Sequence, residues 1–247
     1  MRLDPHVADG IHRVEDAHTN WFIVEEDGRL TIVDAGVPTS WSSLEAALDV
    51  IGRRAGDIEA VVLTHAHFDH IGIAERIRSR LGAEVWVHEN DVPLTRHPLQ
   101  YARDRSPLVY AATNPRALPI LGDLLLSRAF FPSPIAAVRR FTNGTVGVPG
   151  SPRVLLTPGH TLGHVAFHFP ERDAVIAGDA VVTLNPYTGG TGPQIVARAA
   201  TADPARNLDS LGAIAETEAR TVLPGHGEPW HDGAAAIVEQ ARAVGPT

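Results

Sequence analysis

Four side chains of metal-ligand type fall within six residues at His65-Ala66-His67-Phe68-Asp69-His70. Imidazole nitrogen and carboxylate oxygen together suit a divalent ion of borderline or hard character, such as zinc, manganese or iron. The stretch follows Ala60–Thr64, a run too short and too β-branched for a helix. It therefore reads as a loop at the C-terminal end of a strand, where open α/β sheets place their ligand sites. In such a loop His65 and His67 can point one way, and Asp69 and His70 another, at the entry to the next helix. A polar loop with chance histidines is the plainer alternative, and the order of the residues argues against it.

Three later segments repeat the anatomy: Leu156-Thr157-Pro158-Gly159-His160, Ile176-Ala177-Gly178-Asp179 and Leu223-Pro224-Gly225-His226. In each, an apolar strand delivers one ligand-type residue onto a tight turn, and glycine lets backbone pass close to an ion. Each pair alone is weak; their recurrence at strand ends supports all three. His164 reads as a supporting or structural residue and His168 as half-exposed in a strand. His88 could face the core, and His6, His12, His18, His97 and His231 read as surface residues.

The elements that must position these residues alternate between strand and helix. Trp21–Glu25 and Leu30–Asp34 flank Asp27-Gly28, a hairpin signal. Ser40 reads as the cap of a helix carrying Leu44, Leu48 and Ile51. Ile73, Ile77 and Leu81 predict a helix closed by Gly82, followed by a strand at Glu84–His88. Val154–Thr157, Val165–Phe169, Ala174–Ala177 and Thr221–Leu223 read as strands. Asp203-Pro204 opens a helix with Leu208, Leu211 and Ala215 as its stripe, and Asp232 reads as the cap of a last one. The proline-rich stretch 91–150 breaks this rhythm. It reads as an insertion or lid, helical around Arg116–Arg128, within a single domain spanning 1–247.

The 247 residues carry a net charge of −8, which argues against nucleic acid or an anionic membrane as partner. With no cysteine, thiolate zinc sites, iron–sulfur clusters and a thiol nucleophile are excluded. With no lysine, Schiff-base chemistry and a P-loop are excluded as well. No apolar run is long enough for a membrane span, and no secretory leader is legible, so the expected location is cytoplasmic. A small-molecule substrate and a possible homodimer are the expected partners.

On these residues the sequence resembles the metallo-β-lactamase superfamily of hydrolases. The HxHxDH loop matches His65–His70, a PGHT histidine matches His160, a GD aspartate matches Asp179 and a PGHG histidine matches His226. The resemblance runs from about Gly10 to His231 and includes Ile32-Val33-Asp34-Ala35-Gly36. It implies an α/β fold, the αβ/βα four-layer sandwich, with two divalent ions at one edge. By this resemblance His65, His67 and His160 would hold the first ion, and Asp69, His70 and His226 the second. Asp179 would bridge them, with Asp69 and Asp179 the residues given catalytic roles. Zinc is the expected metal, with iron or manganese as alternatives. A hydroxide bridging the ions would be the nucleophile. Asp34 either orients a ligand imidazole through its other nitrogen or only forms a turn.

The expected reaction is cleavage of a small ester, lactone or thioester. The alternatives are an iron dioxygenase or a phosphodiesterase or nuclease of the same fold. The family's β-lactamases usually lack the bridging aspartate, present here as Asp179. Its glutathione thioesterases carry an extra helical region, whereas this chain continues 21 residues past His226. Its lactonases place a tyrosine just after the aspartate, where Val181 and Val182 stand here and Tyr187 follows later. Tyr101, Leu108, Tyr110, Phe130 and Phe131 are expected to form an apolar substrate wall; Arg103, Arg105, Arg139 and Arg140 offer the rival of an anion clamp.

Overall fold

The structure, a computed structural model, describes residues 1–247, the side chain of Leu108 excepted. The chain opens with four antiparallel strands: β1 (Arg2–Ala8), β2 (Ile11–Asp16), β3 (Thr19–Glu26) and β4 (Arg29–Val33). Asp27-Gly28 makes the tight turn between β3 and β4. From β4 onward the pairing is parallel, through β5 (Ile58–Val62), β6 (Glu84–His88) and β7 (Arg139–Phe141), completing a seven-stranded sheet in sequence order. Parallel neighbours need crossovers. The helices α1 (Trp41–Val50) and α2 (Ala74–Leu81) lie in the first two; α3 (Val92–Arg96), α4 (Pro107–Thr113) and α5 (Leu118–Leu126) lie in the third.

The second sheet holds β8 (Arg153–Leu156), β9 (Val165–Phe169) and β10 (Ala174–Gly178). A two-stranded ribbon of β11 (Val182–Leu184) and β12 (Thr191–Gln194) follows, then α6 (Pro204–Ser210) and α7 (Gly212–Ala215). Strand β13 (Thr221–Pro224) returns parallel to β10, giving the order β13-β10-β9-β8, and α8 (Ala234–Val244) covers the end.

Strand alternation builds the layers. Trp21 and Ile23 of β3, with Val61 of β5, face the α1 and α2 side, where Leu44, Leu48 and Ile77 meet them. Phe22 and Val24, with Val62, face the other way and pack on Val165, Phe167 and Ile176 of the second sheet. Val175, Ala177 and Val222 turn to the outer face, against Leu211, Ile214, Ile237 and Val238. The result is helix, sheet, sheet, helix: the αβ/βα sandwich. Each fully buried apolar side chain, such as Phe22 or Phe167, contributes about 1.5–3 kcal/mol. No helix among the described residues is long and apolar enough to cross a membrane.

Local expectations differ from the structure at four places. Ser40 already has helical backbone angles, φ −68° and ψ −2°, so its hydroxyl cannot reach forward to cap α1. It accepts the Val37 N–H instead, at 3.1 Å. Asp232 does not cap α8 either; Gly233 precedes that helix with φ 92°. The stripe Leu208–Ala215 is broken at Leu211 into α6 and α7. The stretch 91–150 contributes β7 to the large sheet, so part of it belongs to the core layer and not to a covering segment.

Candidate metal centre

Four connections converge on one edge of the sandwich. They follow β5, β8, β10 and β13 and carry His65–His70, His160, Asp179 and His226. All seven side chains are buried, none above 6% exposure, although every one is polar. Such burial is costly unless the groups are paired with one another or with an ion.

The structure brings the seven together. His65, His67 and His160 form one group of facing ligand atoms, and Asp69, His70 and His226 another, each within 4.8 Å. Asp179 lies between them. Its Oδ2 is 3.4 Å from His160 Nε2, 3.3 Å from His226 Nε2 and 4.0 Å from His65 Nε2, while its Oδ1 is 3.5 Å from His70 Nε2. His67 presents Nδ1 to His160 Nε2 at 2.9 Å. Of the seven side chains, His65 Nε2, His67 Nε2, His70 Nε2 and Asp179 Oδ1 are buried with no hydrogen-bond partner.

The outer nitrogens of four rings are engaged, and this fixes their tautomers. Thr64 donates its single hydroxyl proton to Asp34 Oδ2 at 2.8 Å, so at 3.0 Å it must accept from His65 Nδ1–H. His70 Nδ1–H donates to Asp34 Oδ2 at 3.1 Å, which places Asp34 in the orienting role rather than in a mere turn. Thr201 donates to the Val196 carbonyl and accepts from His160 Nδ1 at 3.3 Å. His226 Nδ1–H donates to the His18 carbonyl at 2.7 Å. In all four rings Nε2 faces the cluster.

Electrostatics divide the histidines. Burial holds His67 down to about 3, and burial with crowding by neighbouring imidazoles pushes His65 and His160 well below the usual range. Burial also disfavours charge on His70, but Asp179, Asp69 and Asp34 outweigh it and hold this ring up to about 10. His226 is raised for the same reason, by Asp179 and Asp69 against its burial. Burial opposes charge on Asp179 too, yet the facing His226 and His70 keep its carboxyl well below the usual range.

Two glycines admit this packing. Gly178 has φ +51°, and a Cβ there would sit 2.6 Å from Thr64 Oγ1. A Cβ on Gly225 would collide with Asp179 Oδ1.

Several supporting residues escaped the sequence reading. Asp91 is fully buried and accepts from Ala66 N–H at 3.1 Å, Thr161 Oγ1 at 2.8 Å and Gly163 N–H at 2.8 Å. It staples the His65–His70 loop to the loop after His160. Asn20 donates to the Pro224 and Gly227 carbonyls at 2.9 and 2.7 Å and is itself held by buried Arg13 at 2.9 Å, which braces the His226 loop. His12, read as a surface residue, is fully buried beside Glu25. His164, read from the sequence as a supporting or structural residue, lies with its ring centroid 5.0 Å from that of His65 and supports the cluster through Thr157 and the Asp179 backbone.

Of the expected apolar wall, Tyr101 and Phe130 line a cavity beside the cluster, joined by Phe68 and Tyr187. Tyr110 instead packs on Ala197 and Ala199 and donates to the Thr247 carbonyl. Phe131 is 67% exposed, and the side chain of Leu108 lies outside the described residues. Arg103 borders the cavity, whereas Arg139 pairs with Glu84 at 2.6 Å on the far sheet edge, where Arg140 pairs with β6. Arg105 does not line the cavity.

Residues 14–226 match the family model of the metallo-β-lactamase superfamily. The chain belongs to this superfamily. Membership makes it a metal-dependent hydrolase with divalent ions. A superfamily relative is the probable metallo-hydrolase YflN of Bacillus subtilis, 25% identical over 90% of this chain and 85% of its own length. A hydroxyacylglutathione hydrolase of Cereibacter sphaeroides is 29% identical over 64% of this chain, a match that spans only 45% of that relative. Among solved structures, the superfamily protein TTHA1429 of Thermus thermophilus superposes with a TM-score of 0.69 at 24% identity, covering 96% of this chain and 79% of its own. TTHA1623, solved in a di-iron-bound form, gives a TM-score of 0.61 at 28% identity, over 91% of this chain and 95% of its own.

Proposed function

We propose that this chain hydrolyses a small ester, lactone or thioester at a centre of two zinc ions. One observation carries the reading: four imidazoles, their Nδ1 atoms engaged, turn their Nε2 atoms toward a single buried carboxylate, Asp179. Orphaned buried nitrogens and a carboxylate oxygen are the donor set a divalent ion requires, so the residues fit the ions. His65, His67 and His160 would hold one; Asp69, His70 and His226 the other; Asp179 both. Ions bound there supply a nucleophile from water at neutral pH and polarise the scissile carbonyl.

The chain's own groups account for the remaining tasks. Asp34, Thr64, Thr201 and the His18 carbonyl hold the imidazole tautomers. Asp69 and Asp179 supply the negative charge that balances the ions. Tyr101 and Tyr187 bring their hydroxyls within 3.4 Å of each other beside the cluster. In such a pair one phenol donates to the other, leaving one proton free for a substrate oxygen.

Elemental analysis together with an assay panel of esters, lactones and thioesters tests the proposal. Two ions per chain are expected, with turnover lost to a chelator and restored by zinc. One ion or none, or turnover indifferent to chelation, would overturn it. Iron is the second reading, favoured by the di-iron-bound form of TTHA1623; restoration by ferrous iron and not by zinc would select it.

A further inference from the structure

Phe68 stands between His67 and Asp69, and its ring turns out of the cluster. It stacks on Phe130 at a centroid distance of 4.9 Å and on Tyr101 at 6.3 Å. Tyr101 in turn lies against the His67 ring at 4.3 Å. These rings, with Leu121 of α5, Ala111 of α4 and Tyr187, line a cavity of about 290 Å³. The inner wall of the cavity is thus the ligand loop itself, and its outer wall is the α4–α5 segment.

Polarity across this cavity is uneven. The lining is aromatic and aliphatic, with two phenol hydroxyls at the cluster side, and Arg103 is its one charged residue. Arg103 is exposed, and its guanidinium lies over the Tyr101 ring at 5.8 Å, so its charge sits at the Tyr101 end of the cavity. An anionic group pushed away from Tyr101, toward Phe68, Phe130 and Leu121, would lose hydration with no cation to meet it. A neutral hydrocarbon chain would gain up to about 0.8 kcal/mol for each methylene buried. The volume is roughly twice the ~150 Å³ apolar cavity that takes one benzene ring. It is close to the lower end, about 300 Å³, of pockets that hold small ligands.

We propose that this cavity is the acyl-binding site of the hydrolase, and that the substrate is an ester, lactone or thioester with an uncharged, medium-length hydrophobic acyl group. The inference rests on the hydrolase reading above, and deepens it by naming the part of the substrate that the α4–α5 segment selects. Bond cleavage would take place at the metal cluster; the hydrocarbon chain would run past Tyr101 along the Phe68–Phe130 stack toward Leu121 and Ala111.

Two series on the zinc-loaded protein test it. In the first, kcat/KM is measured for esters of one alcohol with acyl chains from four to twelve carbons and for ω-carboxylated counterparts. In the second, binding of the matching straight-chain alkanols is measured by calorimetry, which needs no turnover. Both should rise by up to about fourfold per methylene and then level off or fall once the cavity is full. Ala111→Leu should move that break to shorter chains, and Leu121→Ala should move it to longer ones. Flat series, a preference for the ω-carboxylated esters, or a break unmoved by both variants would overturn the proposal. Alkanol steps that shift with the variants, in a protein that cleaves no ester, would uphold the cavity as a hydrocarbon site and reject the ester reading instead.

Discussion

His164 Nε2 accepts the backbone N–H of Asp179 at 3.0 Å, while its Nδ1 donates to Thr157 Oγ1 at 2.8 Å. A histidine four residues from His160 therefore acts on the centre through the chain of another strand. Burial holds this ring down to about 3, so it stays neutral, as an acceptor of the Asp179 N–H must. His164→Phe removes the acceptor and leaves a buried N–H unpaired. Activity should fall about 10–100-fold, with reduced metal content, and His164→Gln should recover part of both. Elemental analysis and turnover of the two variants check this.

Asp179→Asn keeps the size of the side chain and removes its charge from between the two groups. A loss of turnover on the order of 100-fold or more is expected, with weakened binding of one ion and an unchanged circular dichroism spectrum. Near-full activity would show that Asp179 is not a ligand.

Asp91→Ala leaves the Ala66 and Gly163 N–H groups buried without an acceptor. At about 1–3 kcal/mol for each unsatisfied group, a stability loss of roughly 2–5 kcal/mol is expected in urea unfolding. An effect below ~1 kcal/mol would show that the two loops hold their positions without this staple.

Stripped of metal by a chelator, the protein should be most stable near pH 6.5. Above that value folded His70, held up to about 10, keeps a proton the unfolded chain loses, so its contribution disappears as pH rises through 10. Below it, His67 and His164, held down to about 3, stay neutral while the unfolded chain takes up protons, so stability falls toward acid. Thermal unfolding between pH 4 and 10 checks both limbs. A midpoint that keeps rising above pH 7 would contradict the assignment for His70.

The seven candidate metal-site residues were legible because each sits in a local pattern, a short apolar strand running into a glycine turn or the HxHxDH loop. The alternation of strand and helix pointed to an α/β fold, and the four-layer sandwich came from the family resemblance. What holds the seven in place was not legible, because it is formed across the chain. Asp91 looks like any acidic residue after a strand until the loops at Ala66 and Gly163 close on it. His18 matters through its carbonyl, which its side chain does not advertise. β1 contains Pro5 and lies at a sheet edge, and β7 is only three residues long, so neither carries a periodic pattern. Ser40 and Asp232 have the right chemistry for caps, but the backbone before each helix places them elsewhere.

The brace on the His226 loop also sets an order of events. Asn20 and His18 wait for partners about 200 positions further on. A chain leaving the ribosome at 5–20 residues per second exposes His65–His70 roughly 10–30 s before His226 exists. His160 arrives within that interval, so the first candidate group is complete in sequence while the second still lacks a member. Until β13 pairs with β10, the nascent chain holds all three residues of one group and two of the three of the other. The two groups are therefore completed in order during synthesis, and closing the second is also what joins the beginning of the fold to its end.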